Sequence, residues 1–355
     1  MIYEPKCKID IELASTSKIE SVDFNNLPFG RIFTDHMFEC HYVDGQWQTP
    51  KIKPYGPLSI DPSARVFHYG QAVFEGMKAF KDDQDDVYLF RPEENYERIN
   101  KSSKRLAIPE FPKDYFFEGL KTLIHLDNAW IKKGLGNSLY IRPFVIATEP
   151  AISAAPAAEY SFMIICSPAM AYYRDPVRVL FAEKFSRSAD GGVGFAKAAG
   201  NYAAQFYPTN LANKKGFQQI IWTDANTHEY LEEAGTMNVF FRVGDKLITA
   251  PNNDRILDGV TRKSVIQLAH DLGIDCDVRR VSVAEIKKAA REGELKEIFG
   301  AGTAAVIIPI SAFEHADDVF ELPEVETSYA SMFKEKLMHI QYNMADDIHE
   351  WRYKV

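Results

Sequence analysis

Long apolar runs are missing from this sequence. The longest, residues 301–310, is far shorter than the about 20 residues that a membrane-spanning helix needs. Residues 1–20 mix charged and polar side chains and have no apolar stretch of the kind that marks a secretory signal peptide. We therefore expect a cytoplasmic protein that is not inserted in a membrane.

An excess of positive charge is missing as well. The chain has 41 lysines and arginines against 50 aspartates and glutamates, which gives a formal net charge of −9. A negative chain without a basic run is repelled by phosphate backbones and by anionic lipid surfaces. The charge balance thus argues against nucleic acid or a membrane as the main partner.

Signatures of metal, disulfide and nucleotide sites are also absent. The four cysteines are scattered without ligand-like spacing or a disulfide framework: Cys7, Cys40, Cys166 and Cys276. The nine histidines form no HExxH motif, and the closest pair, His36 and His41, reads as two surface residues. From these cysteine and histidine patterns we expect no metal centre. Neither a phosphate-binding P-loop nor a dinucleotide fingerprint occurs in the sequence.

The length of 355 residues predicts two domains, since one core seldom grows so large. We expect a small α+β domain in residues 1–170, a linker in 171–181 and a larger domain in 182–355. Apolar periodicity predicts helices at 92–106, 113–132, 202–214, 261–272, 283–292 and 325–342. Short alternating or β-branched runs predict strands at 77–80, 87–90, 138–148, 160–166, 177–183, 219–222, 239–243 and 246–249.

One stretch, GGVGFAKAAGNY over residues 191–202, places a single lysine among glycines and alanines. Small neighbours let a rigid group come close to the backbone. A lysine in such a pocket loses its hydration, which favours the neutral amine that Schiff-base chemistry requires. From this stretch alone, a solvated lysine in a glycine-rich surface loop remains the alternative for Lys197.

Five further blocks accompany the lysine loop. They are FEGMKAF (74–80), YIRP (140–143), EAGTMN (233–238), LDGVTR (257–262) and FGAGTA (299–304). In their order and spacing, the six blocks resemble those of the branched-chain amino-acid aminotransferases, which are fold type IV enzymes that use pyridoxal 5'-phosphate. The resemblance extends from about Asp35 to the C-terminal helix.

The resemblance implies a fold, an activity and an assembly. The fold is of the α/β (α+β) class, with a small α+β domain, a larger β-rich domain with helices, and the cofactor in the cleft between them. The implied reaction is transamination between leucine, isoleucine or valine and 2-oxoglutarate, which gives branched-chain 2-oxo acids and glutamate. The implied assembly is a homodimer.

The resemblance also implies roles for residues that contact the cofactor. Lys197 would form the Schiff base, Tyr202 would bond the 3'-oxygen, and Glu233 would hold the pyridine nitrogen protonated. By itself the sequence leaves a choice between Glu233 and the adjacent Glu232. The phosphate would meet the start of a helix and two further groups: Val260, Thr261, Thr303 and Arg98. For Arg98, a surface arginine on a helix is the alternative.

The substrate residues follow from the same resemblance. Tyr69, Phe74 and Tyr140 would form the walls of the side-chain pocket, and Arg142 would meet the distal carboxylate of glutamate. Tyr69 and the backbone of Thr303 and Ala304 would hold the α-carboxylate. Tyr172, in the linker, would close over the ligand.

Two other interpretations and one departure from the family pattern belong here. The same fold also serves D-amino-acid transamination and aminodeoxychorismate lysis, and a protein of another class could bind the cofactor without turnover. Some members of the resembled family carry a Cys-x-x-Cys pair after the Gly-Thr-Ala block. Here Ala305 and Ile308 occupy those positions, so a thiol switch of that kind cannot operate.

Overall fold

The computed structural model describes residues 3–170 and 175–355, and the chain divides into two compact units. Unit 1 comprises Met1–Tyr172, Ala196–Ala199 and His339–Val355, whereas unit 2 comprises Tyr173–Phe195 and Gly200–Met338. The short segment around Lys197 therefore belongs to unit 1, although the sequence on both sides of it belongs to unit 2. The predicted domain boundaries and the predicted cleft stay predictions.

Unit 1 is built on a ten-stranded sheet. Its strands are β1 (Asp10–Ile11), β2 (His36–Val43), β3 (Gln46–Trp47), β4 (Lys51–Pro54), β5 (Ala72–Phe74), β6 (Met77–Lys81), β7 (Val87–Phe90), β8 (Ser138–Ala147) and β9 (Tyr160–Ala169). The main order is β1-β4-β2-β9-β8-β6-β7, with β3 beside β2 and β5 beside β8. The last strand of the chain, Arg352–Lys354, completes the sheet next to β7.

Three helices of the first half belong to unit 1: α1 (Arg65–Tyr69), α2 (Pro92–Arg105) and α3 (Lys113–Leu126). The sequence starts α2 with Pro92 and two acidic residues, which suit the positive end of a helix. Helix α3 approaches β2 closely, because a Cβ added at Gly119 would lie 2.3 Å from the Phe38 ring. The core of the unit collects large apolar side chains from the sheet and from these helices.

Unit 2 contains the second ten-stranded sheet. Its strands are β10 (Val177–Phe181), β11 (Gln219–Thr223), β12 (Tyr230–Ala234), β13 (Asn238–Val243), β14 (Lys246–Thr249), β15 (Cys276–Val278), β16 (Val281–Ser282), β17 (Leu295–Gly302), β18 (Val306–His315) and β19 (Asp318–Glu321). The path β13-β17-β18-β10-β11-β12 returns to β13, because Glu233 pairs with Asn238. Six strands thus form a closed ring, and alternate residues such as Val177, Val179 and Phe181 fill its core.

The described part of the chain contains five further helices: α4 (Ala199–Ala203), α5 (Phe206–Lys214), α6 (Val260–Asp271), α7 (Val283–Arg291) and α8 (Tyr329–Gln341). Short 3-10 helices occur at Ile19–Ser21 and Asn128–Trp130. Among residues 3–170 and 175–355, no helix has both the length and the apolar character needed to cross a membrane.

The predicted elements are confirmed in kind, and three helix boundaries are wrong for identifiable reasons. The predicted 202–214 helix is split into α4 and α5, since Pro208 has no N–H and its ring would clash with the carbonyl of Ala204 in a continuous helix. Helix α3 ends six residues before the predicted 132, and Asp127 there uses its carboxylate to bind His36. Helix α8 begins at Tyr329, where the Glu297 carboxylate accepts the N–H groups of Tyr329 and Ala330.

Candidate active site

Lys197 lies half-buried against β5 of unit 1. Its N–H donates to Ser102 Oγ at 2.9 Å, and its carbonyl accepts the N–H of Phe74 at 3.1 Å. The neighbouring residue Ala198 forms a bridge with Val73. The amine Nζ lies 4.9 Å from the centre of the Phe74 ring. The lysine is therefore held by its backbone on both sides, and its amine lies against an aromatic ring.

Phe74 also contacts the predicted carboxylate-binding arginine. The Arg142 guanidinium lies 4.6 Å from the Phe74 ring centre and 5.3 Å from that of Tyr140, and its Nη2 donates to the Tyr140 hydroxyl at 2.8 Å. The Tyr140 hydroxyl in turn lies over Gly76, where a Cβ would be only 2.2 Å away. The Phe74 ring thus contacts both Lys197 and Arg142. The FEGMKAF block, the YIRP block and the lysine therefore lie close together in unit 1.

Arg98, on α2, is buried and forms a two-pronged ion pair with Glu75. Its Nε lies 2.6 Å from Glu75 Oε1, and its Nη2 donates to Oε2 at 2.8 Å. Asn95 adds a bond of 2.7 Å to Oε2. Burial raises the pKa of the Glu75 carboxyl, but the charges of Arg98 and Lys197 outweigh it and the pKa falls below its usual value. Arg98 is consequently not the surface arginine of the alternative interpretation.

In unit 2, Glu233 lies buried in the closed ring of strands. Its Oε1 is 2.8 Å from Arg187 Nη1 and accepts the Leu257 N–H at 3.0 Å, and its Oε2 accepts Asn238 Nδ2 at 3.3 Å. Strand pairing sets Glu233 opposite Asn238, and Asn238 opposite Ala301. Glu233, Asn238 and Ala301 therefore lie side by side on the adjacent strands β12, β13 and β17 and form one row across the sheet. Strand β17 leads into the Gly-Thr-Ala turn.

Asn238 links this row to the start of α6. Its Nδ2 donates to the Leu257 carbonyl at 3.0 Å, and its Oδ1 lies where a Cβ of Gly259 would be, at 1.8 Å. Glycine is required at this position for steric reasons, and it is the residue before the helix. The first N–H groups of a helix, here those of Val260 and Thr261, have no partner within the helix and form a ready anion site. The EAGTMN, LDGVTR and FGAGTA blocks thus come together within unit 2.

The structure distinguishes the two adjacent glutamates by their partners. Glu232 is bonded to Arg255 Nε, and Arg255 also pairs with Asp190. Burial raises the pKa of Glu232, and the Arg255 guanidinium opposes this only in part. Because neighbours on a strand point to opposite faces, Glu232 serves the Arg255 pair, while Glu233 belongs to the row with Asn238 and Ala301.

The other predicted residues lie at the end of a helix, on a short helix and in a turn. Tyr69 ends α1 with 47% of its surface exposed, and its hydroxyl donates to the Ile152 carbonyl. Tyr202 lies half-buried on α4. Thr303 and Ala304 occupy the turn between β17 and β18. Tyr172 lies outside the described residues. Among those described, no group of three or more histidine, cysteine, aspartate or glutamate side chains could hold a metal ion.

Sequence reasoning assigned no role to several residues in these clusters. Glu75 lies in the FEGMKAF block and Asn238 in the EAGTMN block, so their positions could have suggested a role. Phe29 packs edge-on against Tyr140 with ring centres 5.0 Å apart, and it lies in none of the six blocks. Arg187 lies in no block, and no signal in the sequence distinguishes it.

Comparison with known proteins identifies the family of the chain. Residues 72–313 match the family model described as amino-transferase class IV. Branched-chain-amino-acid aminotransferase 2 of Bacillus subtilis (strain 168) is 43% identical over 355 residues, which cover 99% of this chain and 98% of that protein.

Two solved structures illustrate the likeness of fold. A branched-chain aminotransferase from Thermoproteus uzoniensis, crystallised with norvaline, has a TM-score of 0.74 at 24% identity and covers 89% of this chain and 98% of its own. The T.th. branched-chain amino acid aminotransferase in complex with N-(5'-phosphopyridoxyl)-L-glutamate has a TM-score of 0.72 at 22% identity, over 88% of this chain and 97% of its own. At these identities the two structures support the predicted fold type IV architecture.

Proposed function

This chain belongs to the aminotransferase class IV family, and we propose that it transfers amino groups between branched-chain L-amino acids and 2-oxoglutarate with pyridoxal 5'-phosphate as cofactor. The amino donors are leucine, isoleucine and valine, and the products are their 2-oxo acids and glutamate. The 43% identity to a branched-chain aminotransferase along nearly the whole chain supports this substrate class. The observation that carries the proposal is the Phe74 ring, which contacts both Lys197, the candidate nucleophile, and Arg142, the arginine proposed to bind a carboxylate.

The donor groups of the chain fit the proposed cofactor. When bound, pyridoxal 5'-phosphate supplies an aldehyde that bonds amines and a ring that accepts electrons. Glu233, which is buried and ionically paired, is suited to hold the ring nitrogen in its protonated form. The N–H groups that begin α6 are suited to the phosphate. The remaining proposed cofactor contacts are Arg98, Tyr202, Val260, Thr261 and Thr303.

Lys197 Nζ is the proposed attachment point and the proposed proton carrier. As a neutral amine, Nζ would accept the proton that leaves the substrate Cα and hold it for return in the second half of the transfer. The Phe74 ring centre lies 4.9 Å from Nζ and bounds the space in which the amine can move. Ser102 holds the backbone N–H of Lys197, so that Nζ can move only by rotation about the side-chain bonds of the lysine.

The proposed substrate contacts divide by chemistry. Phe74 and Tyr140 offer apolar area to a leucine side chain. Arg142 offers a planar donor pair to the distal carboxylate of glutamate. Tyr69 and the backbone at Thr303–Ala304 are proposed for the α-carboxylate, and Tyr172 is proposed as a cover over the ligand.

We also propose that two copies assemble as a homodimer in the cytoplasm. The family resemblance suggests the assembly, and helix α5 supports it with three exposed apolar side chains, Phe206, Tyr207 and Leu211. Clusters of this kind on a surface are typical of sites covered by another protein.

A half-reaction tests the proposed function. Addition of L-leucine to the protein loaded with pyridoxal 5'-phosphate should convert the cofactor spectrum from its aldehyde form to its amine form, and 2-oxoglutarate should reverse the change. Conversion by D-amino acids alone would instead indicate the D-amino-acid reaction. No conversion by any amino acid would indicate a cofactor-binding protein without turnover.

A further inference from the structure

Arg187 is a buried arginine that the proposed function leaves without a role. It follows β10 in unit 2, and only 2% of its side chain is exposed. Its Nη1 lies 2.8 Å from Glu233 Oε1 and donates to the carbonyls of Gly194 at 3.1 Å and Arg255 at 2.8 Å. One guanidinium nitrogen therefore joins a carboxylate on β12 to two separate loops.

The charge of Arg187 matters because Glu233 is buried. A carboxylate removed from water without a partner is expected to take up a proton rather than stay charged. A protonated Glu233 would be neutral and could no longer stabilise a positive ring nitrogen. The neighbouring Arg255 does not replace Arg187 in this respect, since its Nε is bonded to Glu232.

The loop contacts of Arg187 matter because one of them leads toward the lysine. Gly194 precedes Lys197 closely in the sequence, and a Cβ at Gly194 would lie 2.5 Å from the Arg255 carbonyl oxygen. Phe195 continues the contact by donating its N–H to the Asp254 carbonyl at 3.0 Å. These two loops touch through their backbones, and Arg187 binds to a carbonyl of each.

We propose that Arg187 is a positioning residue for the transamination. It keeps Glu233 ionised and fixes that carboxylate to the backbone that runs into the lysine loop. The proposal rests on the proposed role of Glu233 at the ring nitrogen. It predicts that Arg187 contributes to cofactor binding only through Glu233, and not independently.

A double-mutant cycle tests this dependence. The full-length variants R187Q, E233Q and R187Q/E233Q are stripped of cofactor, and the dissociation constant for pyridoxal 5'-phosphate is measured for each. Loss of a hydrogen bond to a charged group should weaken binding by about ten- to a hundredfold for E233Q. R187Q should weaken it similarly, and the double variant should be no weaker than E233Q alone. R187K, which keeps the charge without the fork, should bind between R187Q and the natural protein.

The chain offers a matched control for a general effect of removing an arginine. Arg178 Nη1 lies at the same 2.8 Å from Glu321 Oε1, but that pair is exposed. R178Q should leave the cofactor affinity unchanged.

The outcomes separate the inference from the function on which it rests. An E233Q variant with unchanged cofactor affinity would refute the role of Glu233. The free energies of unfolding of the natural protein and of the R187Q, E233Q and R187Q/E233Q variants, all without cofactor, would then still show whether Arg187 and Glu233 are coupled. A weakened E233Q together with an unaffected R187Q, or losses that multiply in the double variant, would overturn the role of Arg187.

Discussion

At the scale of single residues, the Phe74 ring contacts both the lysine proposed to bond the cofactor and the arginine proposed to bind a substrate carboxylate. It faces the Lys197 amine at 4.9 Å and the Arg142 guanidinium at 4.6 Å. An arginine that must tolerate leucine in one half-reaction and bind glutamate in the other cannot be left buried and unpaired. Its bond to the Tyr140 hydroxyl and its contact with two aromatic faces provide partners when no carboxylate is bound.

Replacement of Arg142 should discriminate between the two substrates. Arg142→Met keeps the length and the packing on Phe74 but removes the charge. The loss for glutamate should be that of a charge-assisted hydrogen bond, about 1.5–3 kcal/mol, or about ten- to a hundredfold in kcat/KM. The value for leucine should change much less. Steady-state kinetics with both amino acids measure the ratio.

Tyr140→Phe provides the matched control, because it removes only the hydroxyl that accepts a bond from Arg142. It should leave most of the preference for glutamate intact. Equal losses for leucine and glutamate in Arg142→Met would mean that Arg142 supports the fold of the pocket and does not recognise the carboxylate.

At the scale of elements, an ion pair between β2 and β4 adds to their backbone pairing, and acid should weaken that ion pair. Glu39 on β2 is buried, with Lys53 Nζ on β4 at 2.5 Å and His41 Nε2 at 3.8 Å. His41 and Lys53 lower the pKa of the Glu39 carboxyl to about 2. The distance to His41 is too long for a full hydrogen bond, so Lys53 is the stronger partner.

The lowered pKa of Glu39 fixes the direction of the pH effect. An unfolded glutamate has a pKa of about 4.3, above the folded value, so its contribution to stability is complete above that pH and is lost as pH falls toward 2. Glu39→Gln should lower the free energy of unfolding by on the order of 2 kcal/mol at neutral pH, and by progressively less as pH falls below about 4. Urea unfolding across this range measures the difference.

Glu12→Gln is the control for Glu39→Gln. Glu12 pairs at 3.0 Å with Lys51, which lies on β4 as Lys53 does. Both side chains of this pair are exposed, and exposed pairs contribute little to stability. A difference between Glu39→Gln and the natural protein that stays constant down to pH 2 would contradict the assignment of the pair as the source of the effect.

At the scale of the whole molecule, the sequence predicted what depends on local pattern and on the six blocks. Element types followed from periodicity, and the blocks predicted the architecture that the solved relatives share. The sequence did not predict the split between α4 and α5, although Pro208 signals it, because the apolar pattern continues across the break. It could not predict Arg187 or Phe29, since both residues lie outside the blocks and their partners Glu233 and Tyr140 lie far away along the chain.

The choice between Glu232 and Glu233 shows the same limit. Adjacent carboxylates carry identical local signals, and only strand pairing shows which one stands in the row with Asn238 and Ala301. Whether Tyr69, Tyr202 and the Thr303–Ala304 turn contact cofactor or substrate stays a prediction.

The central claim is that Lys197 bonds the cofactor, and the most direct measurement locates that bond. Borohydride reduction of the protein loaded with pyridoxal 5'-phosphate makes the bond permanent, and peptide mass spectrometry identifies the labelled lysine. Lys197→Ala should carry no label and should lose turnover, whereas Lys184→Ala, at an exposed site, should retain both. We predict that the label lies on Lys197; a label on another lysine of the natural protein, or full turnover by Lys197→Ala, would contradict the claim.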